Sequence, residues 1–145
     1  MIDNLPNLCP PSIYFKKIWV NGCFDILHRG HIELFNFAKR QAKSSHLIVG
    51  VDTDNRVKSL KGDARPKNNL EDRMFVLNSL KAVDETVSFG TDQELEEAIK
   101  NFSPDYMVVG SDYKDARVIG SQYAEQLIFF ERIKDYSTSK LLDSD

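Results

Sequence analysis

Five short apolar runs, separated by stretches of helical spacing, limit how this chain of 145 residues can fold. Lys17–Asn21, His46–Asp52, Glu85–Phe89, Tyr106–Val109 and Gln126–Phe130 read as strands. His46–Asp52 (HLIVGVD) is apolar enough to be covered on both faces, as in a parallel sheet. Between the first two runs, Gly30–Lys43 carries Ile32, Leu34, Phe35, Phe37, Ala38 and Ala42 mostly at helical spacing. Leu70–Lys81 repeats that spacing with Met74, Leu77 and Leu80, and Asn69 stands at its N-cap. Thr91–Phe102 opens with Thr91 three residues before Glu94, the spacing of a capping box. Val118–Tyr123 reads as a short helix and Ser137–Leu142 as the start of a last one. Strand and helix alternate throughout, which predicts an α/β domain with a five-stranded parallel sheet and helices on both faces. That domain takes residues 16–145; residues 1–15, with Pro6, Pro10 and Pro11, form an N-terminal arm without a clear pattern.

The charge balance narrows the partners. A net charge of −3 offers no global attraction to nucleic acid or to an anionic membrane, and no aromatic and basic stripe marks a nucleic-acid surface. No apolar run is long enough to span a bilayer, and the first residues do not read as a signal peptide. Cys9 and Cys23 lack framework spacing and read as reduced thiols of a cytoplasmic protein.

The chemistry concentrates in NGCFDILHRGH, Asn21 to His31, where the first strand ends in a turn that opens a helix. Gly22 and Gly30 let the backbone approach a ligand. His28 and His31 lie about one helical turn apart and can face one point. Free backbone N–H groups and the positive end of a helix dipole converge there, so a phosphate is the natural occupant. A metal is a poor alternative, because Cys9, Cys23 and His46 do not stand at zinc spacing from the pair. Asp25 either closes the turn as an Asx motif or orients an imidazole. Phe24 packs under the loop, and Cys23 reads as an inert buried thiol.

In parallel sheets ligands bind beyond the carboxyl ends of the strands. That rule gathers the histidine turn, the basic segment Thr53–Asn69, the Gly110-Ser111-Asp112 turn and the residues after Phe130 at one rim. The basic segment, with a loop at Asp63–Lys67, is either a solvated face or a set of phosphate contacts. A triphosphate favours the second for Lys61 and Arg73, and then for Arg65 and Lys58. Asp112 follows a strand end and could hold a ribose or a base, or cap the next helix. Ser137, Thr138 and Ser139 resemble an N-cap and first turn, a second place for an anion, with Arg132 adding charge.

With these residues in view, the chain resembles the cytidylyltransferase-like nucleotidyltransferases from about Lys16 to Leu142. GCFDILHRGH is similar to that family's HxGH signature and YSTSK to its ISTT-type signature. Leu60–Met74 (LKGDARPKNNLEDRM), Val83-Asp84 and Gly110–Lys114 (GSDYK) resemble the heptose 1-phosphate adenylyltransferases of ADP-heptose synthesis. Arg132 ahead of STS resembles glycerol-3-phosphate cytidylyltransferase, the alternative, which uses CTP. The resemblance implies a Rossmann-like fold and transfer of a nucleotidyl group, ATP favoured, to a sugar phosphate such as D-glycero-β-D-manno-heptose 1-phosphate, with release of pyrophosphate. It implies a homodimer and Mg²⁺ bound with the triphosphate. It gives His28 and His31 catalytic roles, and the reading of the basic segment adds Lys61 to them. Asn21, Gly22, Cys23, Phe24, Asp25, Gly30, Arg65, Arg73, Gly110, Asp112, Arg132, Ser137, Thr138 and Ser139 then form the nucleotide site. A non-catalytic nucleotide-binding module would use the same rim.

Overall fold

The computed structural model describes residues 15–131. The expected final helix at Ser137–Leu142 and almost all of the arm lie outside them. Among the described residues one parallel sheet is formed by β1 (Lys16–Gly22), β2 (Ser45–Asp52), β3 (Glu85–Phe89), β4 (Tyr106–Gly110) and β5 (Gln126–Phe130), in the order β3-β2-β1-β4-β5. The helices are α1 (Arg29–Lys39), α2 (Asp54–Lys61), α3 (Leu70–Asn78) and α4 (Asp92–Phe102), with 3₁₀ turns at Ser111–Tyr113 and Ser121–Tyr123. The chain steps outward from β1 to β3, then crosses back to β4, so the strand order reverses between β1 and β4.

Strand alternation divides the core. Ile18 and Val20 of β1 face a cluster with Phe35 and Ala38 of α1 and Leu77 of α3. Trp19 faces the other side with Leu95 and Ile99 of α4. Each such side chain contributes roughly 1.5–3 kcal/mol on burial, so a one-residue slip would expose a whole face. Asp84, just before β3, ties the α1 face together: its Oδ2 accepts from Lys39 Nζ and from the Leu47 amide, both at 2.8 Å. Burial would raise the Asp84 pKa, but those two donors hold it below its ordinary value.

Several boundaries differ from the sequence expectations. The first half of the basic segment is a helix, α2, capped by Thr53 Oγ1 accepting from the Arg56 amide at 3.3 Å. It has one buried residue, Val57, so no apolar period announces it. Helix α1 stops at Lys39 and α3 at Asn78, short of the expected Lys43 and Lys81. Asn69 caps α3 as expected, its side chain accepting from the Asp72 amide at 2.8 Å. Thr91 caps α4, but the returning Glu94 carboxylate takes the amide of Gly90 rather than that of the cap residue. The region expected as a helix over 118–123 is only the 3₁₀ turn at Ser121–Tyr123.

Candidate active site

A cavity of about 430 Å³ opens at the carboxyl ends of β1, β2 and β4, at the point where the strand order reverses. Asn21, Gly22, Cys23, Phe24, Asp25, His28, Gly30, His31, Lys61, Arg65 and Gly110 all line it.

The two histidines are built into the start of α1. His28 is the N-cap residue; its Nδ1 accepts from the Gly30 amide at 3.0 Å, while His31 Nδ1 accepts from the His28 amide at 3.2 Å. The rings stack with centroids 3.9 Å apart and planes at 28°. The pair is a capping box in which imidazoles replace the usual hydroxyl and carboxylate. Because each Nδ1 lone pair is committed to a backbone donor, a neutral ring carries its proton on Nε2. The arrangement therefore supplies two Nε2–H donors beside a helix N-terminus.

Phe24 supports this turn. Its ring meets His31 edge-on at 5.5 Å and Phe35 at 5.2 Å. It holds a φ of 51°, a left-handed conformation rare for a bulky residue, and it is buried. A Cβ on Gly22 would come 2.9 Å from Phe24 Cζ. A side chain at position 22 would therefore displace the Phe24 ring, while the Gly22 backbone itself lines the cavity.

Asp25 takes neither of the two roles expected of it. Its side chain is fully buried; Oδ2 accepts from the Lys67 amide at 2.8 Å and from Arg65 Nε at 3.2 Å, and Oδ1 accepts from the Asn68 amide at 2.9 Å. Asn68 Nδ2 donates to the Asp25 carbonyl at 2.9 Å. Burial would raise the Asp25 pKa, but the two amides and Arg65 outweigh it and hold the carboxyl below its ordinary value. Asp25 is the anchor that pins the 65–68 loop against the histidine turn. Arg65 Nη2 is buried and makes no hydrogen bond among the described residues, so a donor remains at the cavity wall.

Arg73 is displaced furthest from its expected role. It is 1% exposed and does not line the cavity. Its Nη1 donates to the carbonyls of Cys23 at 2.9 Å and Asp52 at 2.8 Å, its Nε to the carbonyl of Asn68 at 2.9 Å, and its Nη2 to Asp54 at 2.7 Å. It clamps the carboxyl ends of β1 and β2 from below, with its donors turned to protein oxygens. Cys23, part of that clamp through its carbonyl, has a thiol pushed up mainly by burial, as an inert thiol requires.

Lys61 ends α2 at the rim, exposed beside the cavity. Lys58 and Asp112 do not line it. Arg132, Ser137, Thr138 and Ser139 lie outside the described residues. Asp52, Arg56, Tyr113 and Arg117 line the cavity without having been singled out. Asp52 ends β2, a position the strand-end rule would have flagged; Arg56 stands in the basic segment and Tyr113 in GSDYK, while Arg117 stands in no motif.

Residues 19–141 match the family described as Cytidylyltransferase-like. Among curated relatives, the bifunctional protein HldE of Helicobacter hepaticus is 42% identical over 129 residues, covering 89% of this chain and 26% of that protein. The bifunctional protein HldE of Helicobacter pylori strain J99 is 43% identical over 128 residues, covering 88% and 27%. The chain thus spans about a quarter of the length of the curated relatives it matches. Among solved structures, a lipopolysaccharide core biosynthesis protein from Thermoplasma volcanium superposes with a TM-score of 0.59 at 22% identity, covering 84% of this chain and 98% of that one. That likeness establishes the fold. With the HxGH histidines at the reversal point of a parallel sheet and the family match spanning nearly the whole described region, this chain belongs to the cytidylyltransferase-like family of nucleotidyltransferases.

Proposed function

We propose that this chain transfers the adenylyl group of ATP to D-glycero-β-D-manno-heptose 1-phosphate, releasing pyrophosphate. The observation that carries the reading is the imidazole capping box, which aligns two Nε2–H donors beside a helix N-terminus. The choice of acceptor is supported by the KGDxRP segment and by identity to bifunctional HldE proteins. The nucleophile is an oxygen of the acceptor phosphate, whose second pKa of about 6 leaves it ionised near neutrality. A general base is therefore unnecessary, and the work is alignment and charge stabilisation. His28 and His31 donate to oxygens on the α-phosphorus as the bond to the bridging oxygen breaks. Lys61 and Arg65 neutralise the departing pyrophosphate. Mg²⁺ would enter with the triphosphate, held mainly by phosphate oxygens, and would neutralise charge on the leaving group. A homodimer and a cytoplasmic location belong to the same reading.

The test is pyrophosphate release with ATP or CTP across heptose 1-phosphate and glycerol 3-phosphate. The reading expects ATP with heptose 1-phosphate to be fastest. CTP with glycerol 3-phosphate fastest would transfer the chain to the cytidylyl branch. Binding of ATP with no release from any pair would make it a nucleotide-binding module.

A further inference from the structure

The cavity reaches both faces of the sheet, and only its α1 side is used by the histidines. On the α4 side, β1 and β2 present Asn21 and Asp52, the last residues of their strands to face that way. Asn21 pairs in register with Gly50, and Asp52 lies two residues further on, which sets their Cα atoms about 8 Å apart. Nearby, Leu95, Val118 and Ile119 form an apolar wall.

The polar atoms there are oriented by contacts made before any ligand arrives. Trp19 Nε1 donates to Asn21 Oδ1 at 2.8 Å, so the amide is turned with its two N–H donors outward. The indole has its place because position 50 is glycine: a Cβ there would stand 2.6 Å from Trp19 Cζ2. Asp52 Oδ1 accepts from Arg56 Nε at 2.9 Å, and its Oδ2 accepts no hydrogen bond among the described residues. Arg56 is held from behind by Asp92 at 2.9 Å and lies 5.3 Å over the Phe89 ring. Burial raises the Asp52 pKa, with Arg56 opposing. An acceptor oxygen of Asp52 and the amide donors of Asn21 thus line the same cavity and are open to a ligand. Each hydroxyl of a sugar both donates and accepts, so neighbouring hydroxyls satisfy such a pair together.

We infer that Asn21 and Asp52, with Asp52 steadied by Arg56, read vicinal hydroxyls of the acceptor sugar and set which sugar phosphate is used. The inference rests on the proposed transfer reaction, in which the histidines at the start of α1 hold the α-phosphate. Vicinal hydroxyls also occur on the ribose of the nucleotide, and the two sources give opposite kinetics.

The experiment compares wild type with Asn21→Ala and Asp52→Asn, using heptose 1-phosphate and ATP. It records acceptor KM, kcat, and the Kd of ATP measured without acceptor. Each variant is expected to raise acceptor KM at least tenfold, with the ATP Kd within twofold of wild type. Asp92→Asn removes an exposed ion pair outside the cavity and leaves the Asp52–Arg56 contact in place, so it serves as the stability control and is expected to leave acceptor KM within twofold. An ATP Kd raised tenfold at unchanged acceptor KM would assign the pair to ribose and overturn the inference. Unchanged values of both in an active enzyme would also overturn it. A wild type that releases no pyrophosphate with any sugar phosphate instead removes the transfer reaction itself, and the inference with it. Asn21→Ala touches no ion pair, so it remains decisive if Asp52→Asn does not fold.

Discussion

The histidine turn and the basic residues Lys58, Lys61, Arg65 and Arg73 were both expected to hold phosphate, yet they are built on different principles. In the turn, each imidazole is held by a backbone amide two or three residues away. In the basic segment, cations that look alike in sequence part company. Arg73 is buried under carbonyls 50 and 21 residues distant, Arg65 is tied by Nε to Asp25 forty residues away, and Lys61 stays exposed at the rim. Local hydrogen bonds make a site legible from spacing alone. Long-range ones decide which of several equivalent charges is structural.

The largest expected effect would break that contrast at Arg73. Arg73→Ala leaves two strand-end carbonyls, a loop carbonyl and a carboxylate without their donor, and should cost about 3–5 kcal/mol in denaturant unfolding. Arg73→Lys should recover little, since one ammonium cannot reproduce the fork. Wild-type stability with weakened pyrophosphate binding would return Arg73 to the substrate side.

The histidines come next. His28→Ala or His31→Ala should lower kcat about a hundredfold or more with a small change in ATP Kd. His28→Asn separates the two tasks of that residue. Asparagine is a good N-cap, so thermal stability should stay near wild type while turnover is lost with the Nε2–H donor. Stability and turnover falling in step would mean that the ring serves only the helix.

At Asp25, replacement by Asn sets a donor against donors and should cost about 1–3 kcal/mol. The folded pKa of Asp25 lies below its unfolded one, so its contribution is complete above the unfolded value and drains as pH falls through the folded value. The acid limb of stability should therefore be shallower in Asp25→Asn, as read by urea midpoints across pH. The smallest effect is expected at the exposed lysines. Lys61→Ala should raise the KM for ATP about fivefold, the worth of one exposed ion contact, whereas Lys58→Ala should stay within twofold. Equal effects would erase the distinction between them.

Much was legible beforehand. Glu85–Phe89 and Gln126–Phe130 are strands as expected, because short apolar runs bounded by polar turns admit few other readings. Asn69 and Thr91 cap as read, because a cap is a contact between residues three apart. Helix α2 was missed because one buried valine carries no period. Asp52 and Arg56 were missed because what makes them notable is the cavity wall they share with Asn21, a neighbour only after β1 and β2 pair.

By itself the amino-acid order determined the alternation of strand and helix, the position of the turn that carries both imidazoles, and the rim where the cavity opens. These follow from periodicity and from hydrogen bonds that span a few residues. Only the tertiary structure decided that Arg73 is a clamp, that Asp25 anchors a loop, and that the space a side chain at position 22 would need belongs to a phenyl ring. Each of those outcomes depends on burial, and burial exists only once residues tens of positions apart have packed together.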